Sequence, residues 1–141
     1  MTDSRDPGAP TSSSAPERTR TSALPVAYLV RPAEGGIKSH VLTLIKGLDR
    51  SRFEPILICP PGTFKEAECK VIPLNLVGEI RPWRDLWTAI RLRLILRKIK
   101  PSILHIHSTK AGLVGRLALI MMRRRPKVFL TVHSFVFDER V

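Results

Sequence analysis

Chemistry-bearing side chains gather in three short stretches of this 141-residue chain: "AEGGIKSH" (33–40), "HIHSTKAG" (105–112) and "TVHS" (131–134). Gly35 and Gly36 let a backbone approach a ligand closely, and a helix starting just after them offers free N–H groups to an anion. The spacing is neither G-x-G-x-x-G nor a P-loop, so dinucleotide or ATP binding by those devices is not supported. On spacing alone, an anion cradle and a plain Gly-Gly turn both fit. His40 lies one helical turn further on. In the second stretch, His107 and Ser108 fall at a strand-to-helix turn, with Lys110 in the first turn of the helix. A cation there opposes the helix dipole, which makes better sense if it meets a phosphate. His105 and His107 share a strand face, yet no carboxylate or cysteine is near enough in sequence to complete a metal site. No metal is therefore expected, and His105 reads as structural. His133 closes the third stretch beside Ser134, where an imidazole can act as acid, base or oxyanion donor. Neither a Ser/His/Asp order nor a hydrolase carboxylate pair emerges.

These stretches matter only if something brings them together. "VAYLV" (26–30) is a continuous apolar run, as in a strand buried on both faces. Ile37, Val41, Leu44, Ile45 and Leu48 then follow helical spacing. "FEPILIC" reads as a second strand and "KVIPLNL" (70–76) as a third. The link between them, residues 62–69, is short for a crossover helix. "PWRDLWTAIRLRLILRKIK" is a helix with Pro82 in its first turn and Pro101 past its end. It carries two apolar stripes on nearly opposite sides: Trp83, Leu86, Trp87, Ile90 and Leu94, against Leu92, Ile95, Leu96 and Ile99. The expectation is that both are covered and that the tryptophans belong to the core stripe; the other reading has one apolar and basic face meeting a membrane or partner. "SILHIH" is a strand. "STKAGLVGRLALIMM" is a helix capped by Ser108 or Thr109, with Leu113, Leu117 and Ile120 as its core face. Gly112 and Gly115 suit a helix that must lie close to the sheet or to a ligand. "KVFLTV" is the last strand. This alternation predicts an α/β, Rossmann-like three-layer domain with a mainly parallel sheet. In such a sheet the three stretches would converge at the carboxyl ends of their strands.

Charge is concentrated. Of the 24 Lys and Arg, thirteen lie in residues 81–127, where Asp85 is the only acid, so this segment holds the whole net charge of +12. A surface of that kind attracts nucleic acid, anionic lipid headgroups or a phosphorylated ligand. Residues 1–25, rich in Ser, Thr, Pro and Ala, have too few large apolar side chains to offset the entropy of ordering; they read as a disordered tail before a domain at 26–141. They lack the apolar core of a signal peptide. Cys59 and Cys69 show no metal or redox spacing, which suits a reducing cytoplasm. No apolar run is long enough to span a bilayer.

Three segments, "GGIKSHVLTLIKGLDRSRFEPILIC", "ILHIHSTKAGLVGRLA" and "KVFLTVHSFVF", resemble in order and spacing the N-terminal half of a family 4 glycosyltransferase. The resemblance spans residues 26–137 and is most specific in "HSTKAGLVGRLA". It implies one half of a GT-B fold, in which two Rossmann-like domains face across a cleft. It also implies sugar transfer from a nucleotide-sugar, as donor substrate, to a glycan or lipid-linked acceptor, with no cofactor and no catalytic metal. By that likeness Gly35 and Gly36 line the cleft beside the donor phosphates, and His107, Ser108 and Lys110 fall in the adjacent turn. His133 is the catalytic candidate near the reacting sugar. His40 and Ser134 are substrate-binding candidates, although Ser134 stands where many relatives have glycine.

The C-terminal donor domain of such enzymes has no counterpart in this sequence. The resemblance therefore implies an acceptor-side half, inactive alone: a truncated gene product, a fragment, or one subunit of a split enzyme whose donor domain is a separate chain. It further implies a cytoplasmic protein resting on the anionic inner face of the membrane. The competing reading is a non-catalytic basic module for membrane or nucleic acid. Nucleic acid is disfavoured because the basic segment lacks exposed aromatic residues for stacking, its tryptophans being assigned to the core.

Overall fold

The computed structural model describes residues 22–33 and 35–132. His133 and Ser134 lie outside the described residues, as does Glu34. Within them run β1 (Leu24–Val30), α1 (Gly36–Gly47), β2 (Phe53–Cys59), β3 (Lys70–Pro73), α2 (Pro82–Ile99), β4 (Ile103–His107), α3 (Thr109–Ile120) and β5 (Lys127–Thr131). The strands form one sheet in the order β3-β2-β1-β4-β5, and every pair is parallel. β1 therefore starts two residues before the apolar run, its Leu24 N–H donating to the Arg52 carbonyl at 2.9 Å.

Alternation along the central strands builds two cores, one on each side of the sheet. Ala27 and Leu29 of β1 join Leu104 and Ile106 of β4 under α2 and α3. Val26, Tyr28 and Val30 face the other way, against Val41 and Ile45 of α1. The result is a three-layer, Rossmann-like α/β domain. The short β2–β3 link contains no helix. Phe64, 3% exposed, fills the space a crossover helix would cover. Arg50 donates to the Glu68 carbonyl at 2.9 Å, and Lys38 pairs with Glu66 at 3.0 Å, so the link is tied to α1 and to the turn after it. Both cysteines are free. Burial, and secondarily Cys69 nearby, pushes the Cys59 thiol up to about 11, which keeps it an inert core side chain.

Two expected helix faces are corrected. On α2 the buried residues are Asp85, Ala89, Leu92 and Leu96, while Trp83 is 78% and Trp87 66% exposed. The charges beside each stripe decide this. At 100° per residue, Arg84, Arg91, Arg97 and Lys98 flank the tryptophan stripe and would be dragged towards the core with it. The opposite stripe contains only Asp85, which finds a partner inside. On α3 the inner face is Ala111, Val114, Gly115 and Ala118, whereas Leu113 and Ile120 are exposed. The small residues let α3 lie against the sheet, and an added Cβ at Gly115 would stand 2.7 Å from Ile106 Cδ1. The expected closeness of this helix to the sheet is thus found, but it selects the small face rather than the large one.

Candidate functional site

The strand order reverses at β1, whose neighbours β2 and β4 lead to opposite edges of the sheet. Val30 pairs with His107, and His107 with Thr131, so the ends of β1, β4 and β5 lie side by side. The convergence expected of the three stretches is present for the parts within the described residues. The crevice at the carboxyl ends of β1 and β4 is a topological switch point, where open parallel sheets bind ligands.

Gly35 has φ +63°, a conformation that favours glycine, and caps α1; its carbonyl accepts from Ser39 N–H at 3.1 Å. Among the described residues, a Cβ at Gly35 or Gly36 would meet no atom within 4 Å beyond its chain neighbours, so these residues leave the space before them open. His40 is exposed on α1, and its ring stands edge-on to His107 with centroids 6.0 Å apart. His107 itself is fully buried, 4.2 Å from the His105 ring and 6.2 Å from Tyr28. Its ring lies beneath the exposed His40, at the end of β4. His105 is fixed by a 2.7 Å hydrogen bond between its Nε2 and Thr131 Oγ1. Among the described residues no cluster has a metal-ligand composition.

Ser108 caps α3, its Oγ accepting from Ala111 N–H at 3.3 Å, and it does so at φ +100°. A non-glycine residue in that region stores about 1–3 kcal/mol of strain. Ser108→Gly relieves the strain, whereas Ser108→Ala keeps it and loses the cap, worth about 1 kcal/mol. Urea unfolding should therefore rank Ser108→Gly level with or above the native chain, and Ser108→Ala below both.

Lys110 stands in the first turn of α3, as the spacing indicates, and it meets a carboxylate there. Its Nζ lies 3.2 Å from Asp85 Oδ1, both side chains are 8% exposed, and the contact is an ion pair without hydrogen-bond geometry. The other carboxylate oxygen accepts from Arg81 N–H at 3.0 Å. The buried cation in the first turn of α3 is thus balanced by protein. Asp85 is the residue at this edge that the motifs do not bring forward. Its signal was its isolation, a single acid among thirteen bases, in the first turn of a helix.

Beyond the crevice, α2 and α3 present an outer surface with exposed Trp83, Trp87, Leu94, Leu113 and Ile120. The exposure of the tryptophans beside arginines removes the stacking objection to nucleic acid. At the far end of these helices a cavity of about 700 Å³ is lined by Arg93, Arg97, Lys100, Arg123, Arg124 and Arg125. Two helix C-termini there contribute roughly one negative charge in total, far less than six cations.

Comparison with known proteins gives a consistent set. A family model described as Glycosyltransferase Family 4 matches residues 34–140. An Escherichia coli protein described as UDP-Gal:alpha-D-GlcNAc-diphosphoundecaprenol alpha-1,3-galactosyltransferase is 40% identical over 124 residues, covering 83% of this chain and 32% of that protein. The chain thus spans about a third of that relative's length. Among solved structures, a glycosyltransferase from Rickettsia africae ESF-5 superposes with a TM-score of 0.63 at 20% identity, over 77% of this chain and 29% of that one. A UDP-N-acetylglucosamine 2-epimerase gives 0.57 at 19% identity, over 78% and 33%. At those identities the two structures support the fold.

Proposed function

Because the chain belongs to glycosyltransferase family 4, we propose that it forms the acceptor-side half of an enzyme that moves a sugar from a nucleotide-sugar to a lipid-linked glycan carrier. The observation that carries this reading is the paired turn at the switch point: an open Gly35-Gly36 helix start beside the strained Ser108 cap, in a chain 40% identical to a galactosyltransferase with a diphospholipid-linked acceptor. Transfer breaks the bond between the sugar's anomeric carbon and the nucleotide's terminal phosphate oxygen and forms one to an acceptor hydroxyl oxygen, whose proton goes to the departing diphosphate. The free N–H groups at the start of α1 suit the charge that develops on the departing diphosphate. His40, at the front of the crevice, is a donor for substrate oxygens. His133 remains the proposed catalytic residue near the reacting sugar, with Ser134 beside it. No cofactor is needed in this scheme. The nucleotide-sugar would be held mainly by a donor domain, in the same polypeptide or a separate one.

Calorimetric titration tests the half assigned. A water-soluble prenyl-diphosphate-linked N-acetylglucosamine should bind about ten-fold or more tighter than UDP-galactose. The reverse order would contradict an acceptor-side role.

The same reading places the protein in the cytoplasm on the inner face of the membrane. Among the described residues no helix is long and apolar enough to cross a bilayer. The outer face of α2 instead combines exposed tryptophans with flanking cations, the composition of an interfacial helix. Vesicles containing phosphatidylglycerol should bind the chain in a salt-sensitive manner, and Trp83→Ala with Leu94→Ala should weaken partitioning about ten-fold or more, from the lost apolar burial. Stronger binding to single-stranded oligonucleotides than to these vesicles would favour the nucleic-acid alternative.

A further inference from the structure

The β3–α2 loop and the adjoining flank of α2 enclose a cavity of about 480 Å³. Arg84, Trp87, Thr88 and Arg91 line it from the helix, and Asn75 and the Glu79–Arg81 ion pair from the loop. Their spacing is i, i+3, i+4 and i+7, so the helical four lie on one side of α2. Arg81 is held by Glu79 at 3.0 Å, whereas neither Arg84 nor Arg91 is in an ion pair among the described residues. Seven residues separate Arg84 and Arg91 by roughly 10 Å along the axis, within reach of two long side chains closing on one anion.

The chemistry is composite. Guanidinium forks match phosphate oxygens in geometry and charge. An indole ring offers a flat apolar face, and Trp87 is 66% exposed between the two arginines. An amide and a hydroxyl, from Asn75 and Thr88, can exchange hydrogen bonds with sugar hydroxyls. A simple solvated basic face would account for the arginines but not for an uncovered indole set between them.

We propose that this cavity binds the sugar-diphosphate head of the lipid-linked acceptor, with phosphate oxygens on Arg84 and Arg91 and the pyranose against Trp87. The identity of that ligand rests on the glycosyltransferase reading, whereas recognition of a diphosphate and a ring rests on the cavity alone. Two further features bear on the placement. Asp85 also lines the cavity and holds Lys110 in the first turn of α3, which joins the cavity wall to the β4 side of the crevice. Trp83 and Leu94 lie on the same outer stripe as Trp87, so a helix resting on the bilayer would hold the cavity at headgroup depth.

The test uses the full chain and three probes: a short-chain prenyl-diphosphate-linked N-acetylglucosamine, inorganic pyrophosphate and free N-acetylglucosamine. The chain contains two tryptophans, so Trp83→Phe leaves Trp87 as the only indole reporter. The linked sugar should change Trp87 fluorescence saturably and bind tightest, pyrophosphate should follow, and the free sugar should be weakest. By calorimetry, Arg84→Gln and Arg91→Gln should each weaken the linked sugar about ten-fold, and Trp87→Ala should remove its advantage over pyrophosphate while Trp87→Phe keeps it. Alanine at either arginine, with unfolding curves matching the native chain, should repeat the loss. Native-like binding by the double arginine variant would overturn the proposal. Displacement of the linked sugar by UDP-galactose at equal concentration would also overturn it, because the cavity would then serve the donor. Pyrophosphate binding that depends on both arginines, with no gain from the sugar, would overturn the acceptor assignment while leaving the family's transfer chemistry at the crevice intact.

Discussion

Lys110→Ala should destabilise the domain by about 3–5 kcal/mol, the usual consequence of removing one partner of a buried ion pair. Lys110 and Asp85 are each 8% exposed and lie 3.2 Å apart. Without the ammonium, the carboxylate keeps, among the described residues, only the Arg81 N–H at 3.0 Å as a hydrogen-bond donor. Most of the loss is the desolvation of an uncompensated charge rather than the net value of the pair. The distinction is measurable. Asp85→Asn combined with Lys110→Met replaces the pair by neutral side chains of similar size and should cost less than Lys110→Ala alone. Urea unfolding at neutral pH gives both numbers; a Lys110→Ala change below about 1 kcal/mol would mean that water reaches the pair. The pair also links the first turn of α2 to that of α3, so the same variant should loosen the acceptor cavity.

Gly115→Ala should cost about 1–3 kcal/mol although alanine is the better helix former by about 1 kcal/mol. Its Cβ would stand 2.7 Å from Ile106 Cδ1 and 3.6 Å from Leu29 Cδ2, and both neighbours are buried. The Ile106 methyl is a side-chain end, but close packing on all sides leaves it little room to swing away. Ile106→Val removes that methyl, so the double variant should be nearly as stable as Ile106→Val alone. Gly112→Ala is the control. The nearest atom there, Leu130 Cδ1, is 3.5 Å away, an ordinary contact, so the helix-propensity gain should survive. Equal effects at the two glycines in thermal or urea unfolding would contradict close approach at Gly115.

The strands were legible because a parallel sheet buried on both faces demands continuous apolar runs, and "VAYLV" and "PILIC" have no other use. The convergence of three polar strand ends followed from parallelism alone. Helix rotation was the weak point. In α3, size was the wrong guide: Leu113 and Ile120 are larger than Ala111, Gly115 and Ala118, but the distance from helix to sheet admits only the small face. In α2, both stripes were apolar, and the deciding term was the charge beside each one. Arg84 and Arg91 keep the tryptophan side in water, while Asp85 can enter because Lys110 waits inside. That partnership joins residues 25 positions apart on different helices, which no local pattern reveals. A lysine in a first helical turn is an anomaly that the sequence displays; the Asp85 carboxylate that balances it is not. His107 was placed correctly at its strand end, whereas its burial behind His40 depends on how α1 lies over β1 and β4. The expected role of His133 lies outside the described residues and stands as a proposal.

We have proposed that this chain supplies the acceptor side of a family 4 sugar transferase. Joining it to the C-terminal two thirds of the Escherichia coli galactosyltransferase relative, and assaying transfer of galactose from UDP-galactose to prenyl-diphosphate-linked N-acetylglucosamine, tests that claim most directly. The chimera should form a lipid-linked disaccharide, and Arg84→Gln with Arg91→Gln should abolish it through a raised acceptor KM. A folded chimera that binds UDP-galactose yet transfers no sugar to any lipid-linked acceptor would contradict it.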